Sequence, residues 1–124
     1  MRAKGFTLIE LLVVMAIIAT LLSLALPRYR GGAERAKEVV LKENLATLRQ
    51  VIDKYYGDTG KYPTDLGELV SRKYLRTVPM DPVTDRKDSW VVVPYPGHNG
   101  ESVVYDVKSG APGKARDGTP YSEW

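Results

Sequence analysis

From Phe6 to Leu26 the chain reads FTLIELLVVMAIIATLLSLAL, an apolar run interrupted only by Thr7, Thr20, Ser23 and one charge, Glu10. As a helix it would reach roughly 30 Å, about the thickness of a bilayer's hydrocarbon core. A cleaved secretory signal peptide is the competing reading, with MRAK as its basic start and Ser23-Leu24-Ala25 as a small-residue exit. Glu10 counts against it, because an acid inside an apolar span is costly and calls for a purpose. A buried core helix is disfavoured too, since the later chain offers too little apolar surface to cover a helix that is apolar all round.

Pro27 has no N–H to donate to the Ser23 carbonyl, and Gly31-Gly32 weaken the next turn, so a bend or local unwinding is expected between Ser23 and Gly32. Beyond it Leu41, Leu45, Leu48, Ile52 and Tyr55 alternate at spacings of four and three, one stripe of an amphipathic helix, with Glu38, Lys42, Arg49 and Asp53 off it. Gly57-Asp58-Thr59-Gly60 is the expected stop. Two Val-rich segments, Ser89 to Val93 and Ser102 to Val107, predict a small antiparallel sheet laid on the Leu41 stripe. Lys108 to Trp124 reads as a loop pinned by Tyr121 and Trp124. The predicted class is α+β: a long N-terminal helix, hydrophobic in its first half and amphipathic in its second, packed on a small sheet.

A chain of 124 residues has room for one small domain and one membrane-type helix. The net charge of +3 includes Arg2 and Lys4 ahead of the apolar run. The rest is nearly neutral, which gives no general basic surface for nucleic acid. Without cysteine there is neither a disulfide framework nor thiolate chemistry. No phosphate-binding glycine loop, His-Glu zinc helix or serine elbow is present. The single histidine, His98, sits among prolines and glycines and reads as a solvated turn residue. Asp81, Asp85, Asp88, Asp106 and Asp117 are scattered without the EF-hand pattern and read mostly as turn formers. Enzyme is the poorest functional class, and no cofactor is expected.

The informative cluster is Arg2, Lys4, Gly5, Phe6 and Glu10. A free amine created at Phe6 would put a positive charge at the tip of the apolar helix, with Glu10 one turn along. Between neighbouring helices offset along an axis, Glu10 of one copy could face the amine of the next, and attraction at low dielectric would offset part of the burial cost. The alternative is a Glu that reaches out to lipid head groups.

The string Lys4-Gly5-Phe6-Thr7-Leu8-Ile9-Glu10, followed by LLVVMAIIATLL, resembles the processing site of the type IV pilin superfamily. The resemblance implies that prepilin peptidase removes a leader, residues 1–5, by cutting between Gly5 and Phe6, and methylates the Phe6 amine. It assigns residues 6–30, with Glu10 and Pro27, to a transmembrane and assembly helix, and residues 31–124 to a globular domain. Asp58-Thr59-Gly60-Lys61-Tyr62-Pro63-Thr64, Tyr74-Leu75, Val78-Pro79-Met80-Asp81-Pro82, Pro96-Gly97-His98-Asn99-Gly100 and Trp124 are similar, in that order, to the G-type major pseudopilins of type II secretion systems. The implied function is a homopolymeric periplasmic filament that moves folded proteins through the outer membrane. Its implied partners are prepilin peptidase, minor pseudopilins and the inner-membrane assembly platform.

The same resemblance places the amino end in the cytoplasm, one span in the inner membrane and the C-terminal domain in the periplasm. Charge alone does not orient the span, because Arg28 and Arg30 match Arg2 and Lys4. A surface type IV pilus for adhesion, motility or electron transfer is the alternative function. Against it stand the absent C-terminal cysteine pair and an ordinary aromatic content, which makes packing the better account of Tyr29, Tyr55, Tyr56 and Trp90. A third reading is a single-pass protein that never polymerises and keeps Gly5 uncleaved. The related pseudopilins carry a C-terminal calcium loop that reads roughly Ala-Asp-Gly followed by further acids. Here the stretch is Ala111-Pro112-Gly113, leaving Asp117 as the evident metal candidate, with Ser109, Thr119, Ser122 and carbonyls as possible supplements.

Overall fold

The computed structural model describes residues 5–96 and 102–124. Arg2, Lys4 and the Gly97-His98-Asn99-Gly100 segment lie outside the described residues. The elements are helix α1 (Leu8–Thr59), helix α2 (Leu66–Ser71), strands β1 (Val91–Val93) and β2 (Asp106–Lys108), and a 3-10 turn at Tyr121–Glu123. Residues up to Arg35 and residues Ala36–Trp124 form two compact units. A long N-terminal helix with a small antiparallel sheet is the α+β arrangement of a type IV pilin-like chain.

In the first unit α1 passes through Pro27, Gly31 and Gly32 without a break, so the unwinding expected between Ser23 and Gly32 is absent. Proline deprives one carbonyl of its donor but holds φ near the helical value, a local cost of about 3 kcal/mol. The long apolar run before it is a strong helix former, and one missing bond does not stop a cooperative ladder. The polar interruptions are satisfied within the helix, Thr20 Oγ1 donating to the Ala16 carbonyl and Ser23 Oγ to that of Ala19, both at 2.8 Å.

In the second unit the predicted stripe is the core. Leu41, Leu45, Leu48, Ile52 and Tyr55 are buried together with Leu69, Trp90, Val104 and Val107. Burying one Leu or Ile side chain contributes about 1.5–3 kcal/mol, so this stripe supplies most of what holds the sheet and loops to α1. The helix runs on through Gly57, Asp58 and Thr59 and stops at Gly60. Gly60 adopts φ +73, which a residue without Cβ takes at little cost, and its N–H donates to the Tyr56 carbonyl at 2.7 Å.

The short helix α2 is capped by Asp65, whose side chain accepts the Glu68 N–H at 2.7 Å. Glu68 in turn accepts from the Thr64 N–H and hydroxyl, both at 2.7 Å, and from the Tyr55 hydroxyl at 2.6 Å. One carboxylate thus ties α1, the connecting loop and α2 together. The Thr64 N–H and the Tyr55 and Thr64 hydroxyls hold its pKa down at about 2.

Strands β1 and β2 pair antiparallel, with Val91 opposite Lys108, Val92 opposite Val107 and Val93 opposite Asp106. Both strands are shorter than predicted, and the second starts four residues later than Ser102. The Tyr105 N–H still reaches the Val93 carbonyl at 3.0 Å, but the Val104 N–H donates to the Pro63 carbonyl at 2.7 Å, a nonlocal bond that takes Val104 off the ladder. The Ser89 carbonyl lies against Gly110 where any Cβ would stand, so only glycine fits there. Asp81 is a turn former, as expected, accepting the Val83 N–H at 2.8 Å. It is also fully buried and accepts the hydroxyl of buried Ser109 at 2.7 Å. Asp106 is not a turn former; it accepts from Arg49 at 2.9 Å.

Glu68 is bound more strongly as carboxylate in the fold than its ordinary value of 4.5 implies. Its contribution is therefore complete above about pH 4.5 and is lost as the pH falls toward about 2. Thermal melts across that window are expected to show a smaller acid-induced drop in midpoint for Glu68→Gln than for the native chain, from a lower starting midpoint at neutral pH.

Candidate processing and assembly site

The helix begins one residue after Thr7, and this start is built by a reciprocal pair. The Glu10 N–H donates to Thr7 Oγ1 at 3.2 Å, while the Thr7 N–H donates to Glu10 Oε2 at 3.0 Å. This is a capping box, in which two otherwise orphaned amides of the first turn are satisfied by side chains. It was legible as Thr-x-x-Glu ahead of an apolar run, and reasoning from charge alone passed over it. Glu10 thereby also places its negative charge at the positive end of the helix.

Gly5 and Phe6 precede the helix in irregular backbone, and Phe6 is 92% exposed. Every large apolar side chain from Leu8 to Leu26 is exposed, and this part of α1 is long and apolar enough to cross a membrane. An apolar surface of that extent has to be covered by lipid or protein. Pro27 lies on the same helix, immediately after the last of those side chains.

Asp117 lies in a loop of the second unit. Its Oδ1 accepts the Thr119 N–H at 3.0 Å and the Thr119 hydroxyl at 2.6 Å. Those two bonds hold its carboxyl below the usual carboxylate range, and the Lys42 ammonium lowers it further. Ser109 is committed to Asp81. Among the described residues no three His, Cys, Asp or Glu side chains converge. Calcium takes six to eight oxygens, and the Oδ1 of Asp117 is already engaged by Thr119.

A cleft of about 560 Å³ in the second unit is lined by Tyr56, Tyr62 and Tyr95 with Lys61, Thr64 and Ser102. Its rings pack on one another, Tyr56 stacking on Tyr62 at 4.4 Å and Tyr62 on Tyr95 at 5.5 Å. Its named lining offers no carboxylate or imidazole for general acid–base work.

Residues 1–26 match the family described as the prokaryotic N-terminal methylation motif. With the fold, this defines a type IV pilin-like subunit. Type II secretion system core protein G of Klebsiella pneumoniae is 34% identical over 97 residues, covering 65% of this chain and 69% of the relative. Its counterpart in Dickeya chrysanthemi is 33% identical over 97 residues, covering 65% of this chain and 63% of the relative. Fimbrial protein EcpC of Eikenella corrodens is 35% identical over 80 residues, covering 60% of this chain and 52% of the relative. The match thus spans less than two thirds of the Dickeya and Eikenella relatives. The chain belongs to the type II secretion system core protein G family, the major pseudopilins. No solved structure matches it.

Removing the cap leaves a first-turn amide unsatisfied, at a cost of about 0.5–2 kcal/mol. Thr7→Ala is therefore expected to speed hydrogen exchange at the amides of residues 9–11 in detergent micelles, with no change beyond the second turn.

Proposed function

We propose that this chain is a structural subunit that polymerises into the periplasmic pseudopilus of a type II secretion system and drives export of folded proteins across the outer membrane. One observation carries the reading: an exposed apolar helix surface with a single carboxylate, Glu10, fixed at its first turn. Such a surface is stable in a bilayer as a monomer and against copies of itself as a filament.

In this reading prepilin peptidase cuts between Gly5 and Phe6, where exposed irregular backbone offers the bond, and methylates the new Phe6 amine. Glu10 Oε2 stays with the Thr7 N–H, and Oε1 takes the Phe6 ammonium of the adjacent copy. The pairing neutralises both charges at low dielectric and sets the axial register. Pro27, which leaves the Ser23 carbonyl without its ladder donor, is the point where the helix adjusts as copies pack. Residues 1–5 are then leader, 6–30 the inner-membrane and assembly helix, and 31–124 the periplasmic domain. Minor pseudopilins and the inner-membrane assembly platform are the other partners. The role is structural and requires no catalytic group.

The likeness to a fimbrial protein favours a second reading, a surface type IV pilus used for adhesion, motility or electron transfer. Deleting the gene separates the two: retention of exported proteins in the periplasm supports secretion, whereas loss of surface fibres with secretion intact supports the pilus.

Mass spectrometry of the native protein is expected to find a chain beginning at N-methylated Phe6; an amino terminus at Met1 in the mature protein overturns the pilin reading. Glu10→Ala is expected to insert in the membrane yet lower filament yield at least about tenfold, the equivalent of about 1.4 kcal/mol in assembly. Filaments at native yield would refute the register argument.

A further inference from the structure

Three of the charged residues left outside the apolar stripe of α1 do more than meet solvent. Glu38, Lys42 and Arg49 follow one another at spacings of four and seven, which places them on one ridge beside Leu41, Leu45 and Leu48. All three reach the C-terminal segment. Glu38 Oε1 accepts the Arg116 N–H at 2.7 Å and the Tyr121 hydroxyl at 3.4 Å. Lys42 Nζ stands 4.7 Å from the centre of the Trp124 ring. Arg49 donates to Asp106 Oδ1 at 2.9 Å, to the Val107 carbonyl at 3.0 Å and to the Trp124 carbonyl at 2.7 Å.

The segment is also tied within itself. Trp124 Nε1 donates to Thr119 Oγ1 at 2.9 Å, and that hydroxyl donates to Asp117. The Ala115 N–H donates to the Thr119 carbonyl at 2.8 Å, and Lys114 pairs with Pro120. The Tyr121 and Trp124 rings meet edge to face at 5.2 Å, and Ala111 and Ala115 are buried. The Asp106 carboxylate and the Val107 and Trp124 carbonyls are thus engaged by the Arg49 guanidinium, and Asp117 Oδ1 by the N–H and hydroxyl of Thr119.

We propose that the Glu38–Lys42–Arg49 ridge fastens residues 114–124 to α1 in place of a bound cation, so that folding of this chain does not depend on calcium. Arg49 is the principal fastener. A planar guanidinium with five donors can hold a carboxylate and two carbonyls at once, so it joins β2, the C-terminal turn and the helix through one side chain. Lys42 adds a cation over an electron-rich ring and a positive charge near Asp117, which a divalent ion at that carboxylate would have to oppose.

The test uses the full chain in detergent micelles, followed by tryptophan fluorescence on heating and by hydrogen exchange. With millimolar calcium chloride or with a calcium chelator the native midpoint is expected to be the same. Arg49→Met is expected to lower it by about 4–8 °C, and to speed exchange across residues 114–124 by about tenfold while amides of residues 45–52 remain protected. Lys42→Met should shift both in the same direction by less, and calcium should restore neither variant. A native midpoint raised several degrees by calcium, or an Arg49→Met chain whose segment exchanges at the native rate, overturns the proposal. Should Arg49→Met fail to fold, the calcium comparison on the native chain and the exchange of Lys42→Met decide it. None of these readouts involves filament formation, so the proposal and the polymer reading stand or fall separately.

Discussion

Burial of a single stripe of α1 is the constraint on which residues 36–124 depend. Leu41, Leu45, Leu48 and Ile52 are almost wholly removed from water, and they cluster with side chains from later in the chain, among them Leu69 of α2, Trp90 beside β1, Val104, and Val107 of β2. A two-stranded sheet is marginal in water by itself. Here it persists because its inner face meets a preformed apolar surface. The polar contacts then refine the geometry, Glu68 fixing α2 on one side of that surface and Arg49 fixing β2 on the other.

Acidic side chains on α1 and α2 show how the same chemistry serves different ends. Glu10 and Glu68 each sit at the third position of a helix and each reach back to a preceding amide. In the globular part the arrangement is complete, because hydroxyls from Tyr55 and Thr64 fill the remaining acceptor sites of Glu68. At the amino end the capping pair engages Oε2 of Glu10, and its setting is an apolar surface. A carboxylate half used by its own helix and set among apolar side chains is well suited to a partner bearing a positive charge.

Much of this was legible in the sequence where the pattern is local. The spacing of Leu41, Leu45, Leu48, Ile52 and Tyr55 identifies the buried face, and the apolar run identifies a helix long enough to cross a membrane. The Asp65-Leu66-Gly67-Glu68 cap was equally local, yet six residues carry too little periodicity to announce a helix. What stayed hidden depends on distant partners. The departure of Val104 from the second strand follows from its bond to Pro63, and the engagement of Glu38, Lys42 and Arg49 follows from acceptors and donors far downstream. Off the apolar stripe, a charged side chain with such partners looks the same in sequence as one facing water.

The sequence distance between those partners has a kinetic meaning. Glu38 meets Arg116 across 78 positions, and Arg49 meets the Trp124 carbonyl across 75. Loop-closure entropy must be overcome before such contacts form, so they come late, while α1 closes through neighbours four apart. A nascent chain therefore displays its leucine stripe as a bare template until the far end arrives.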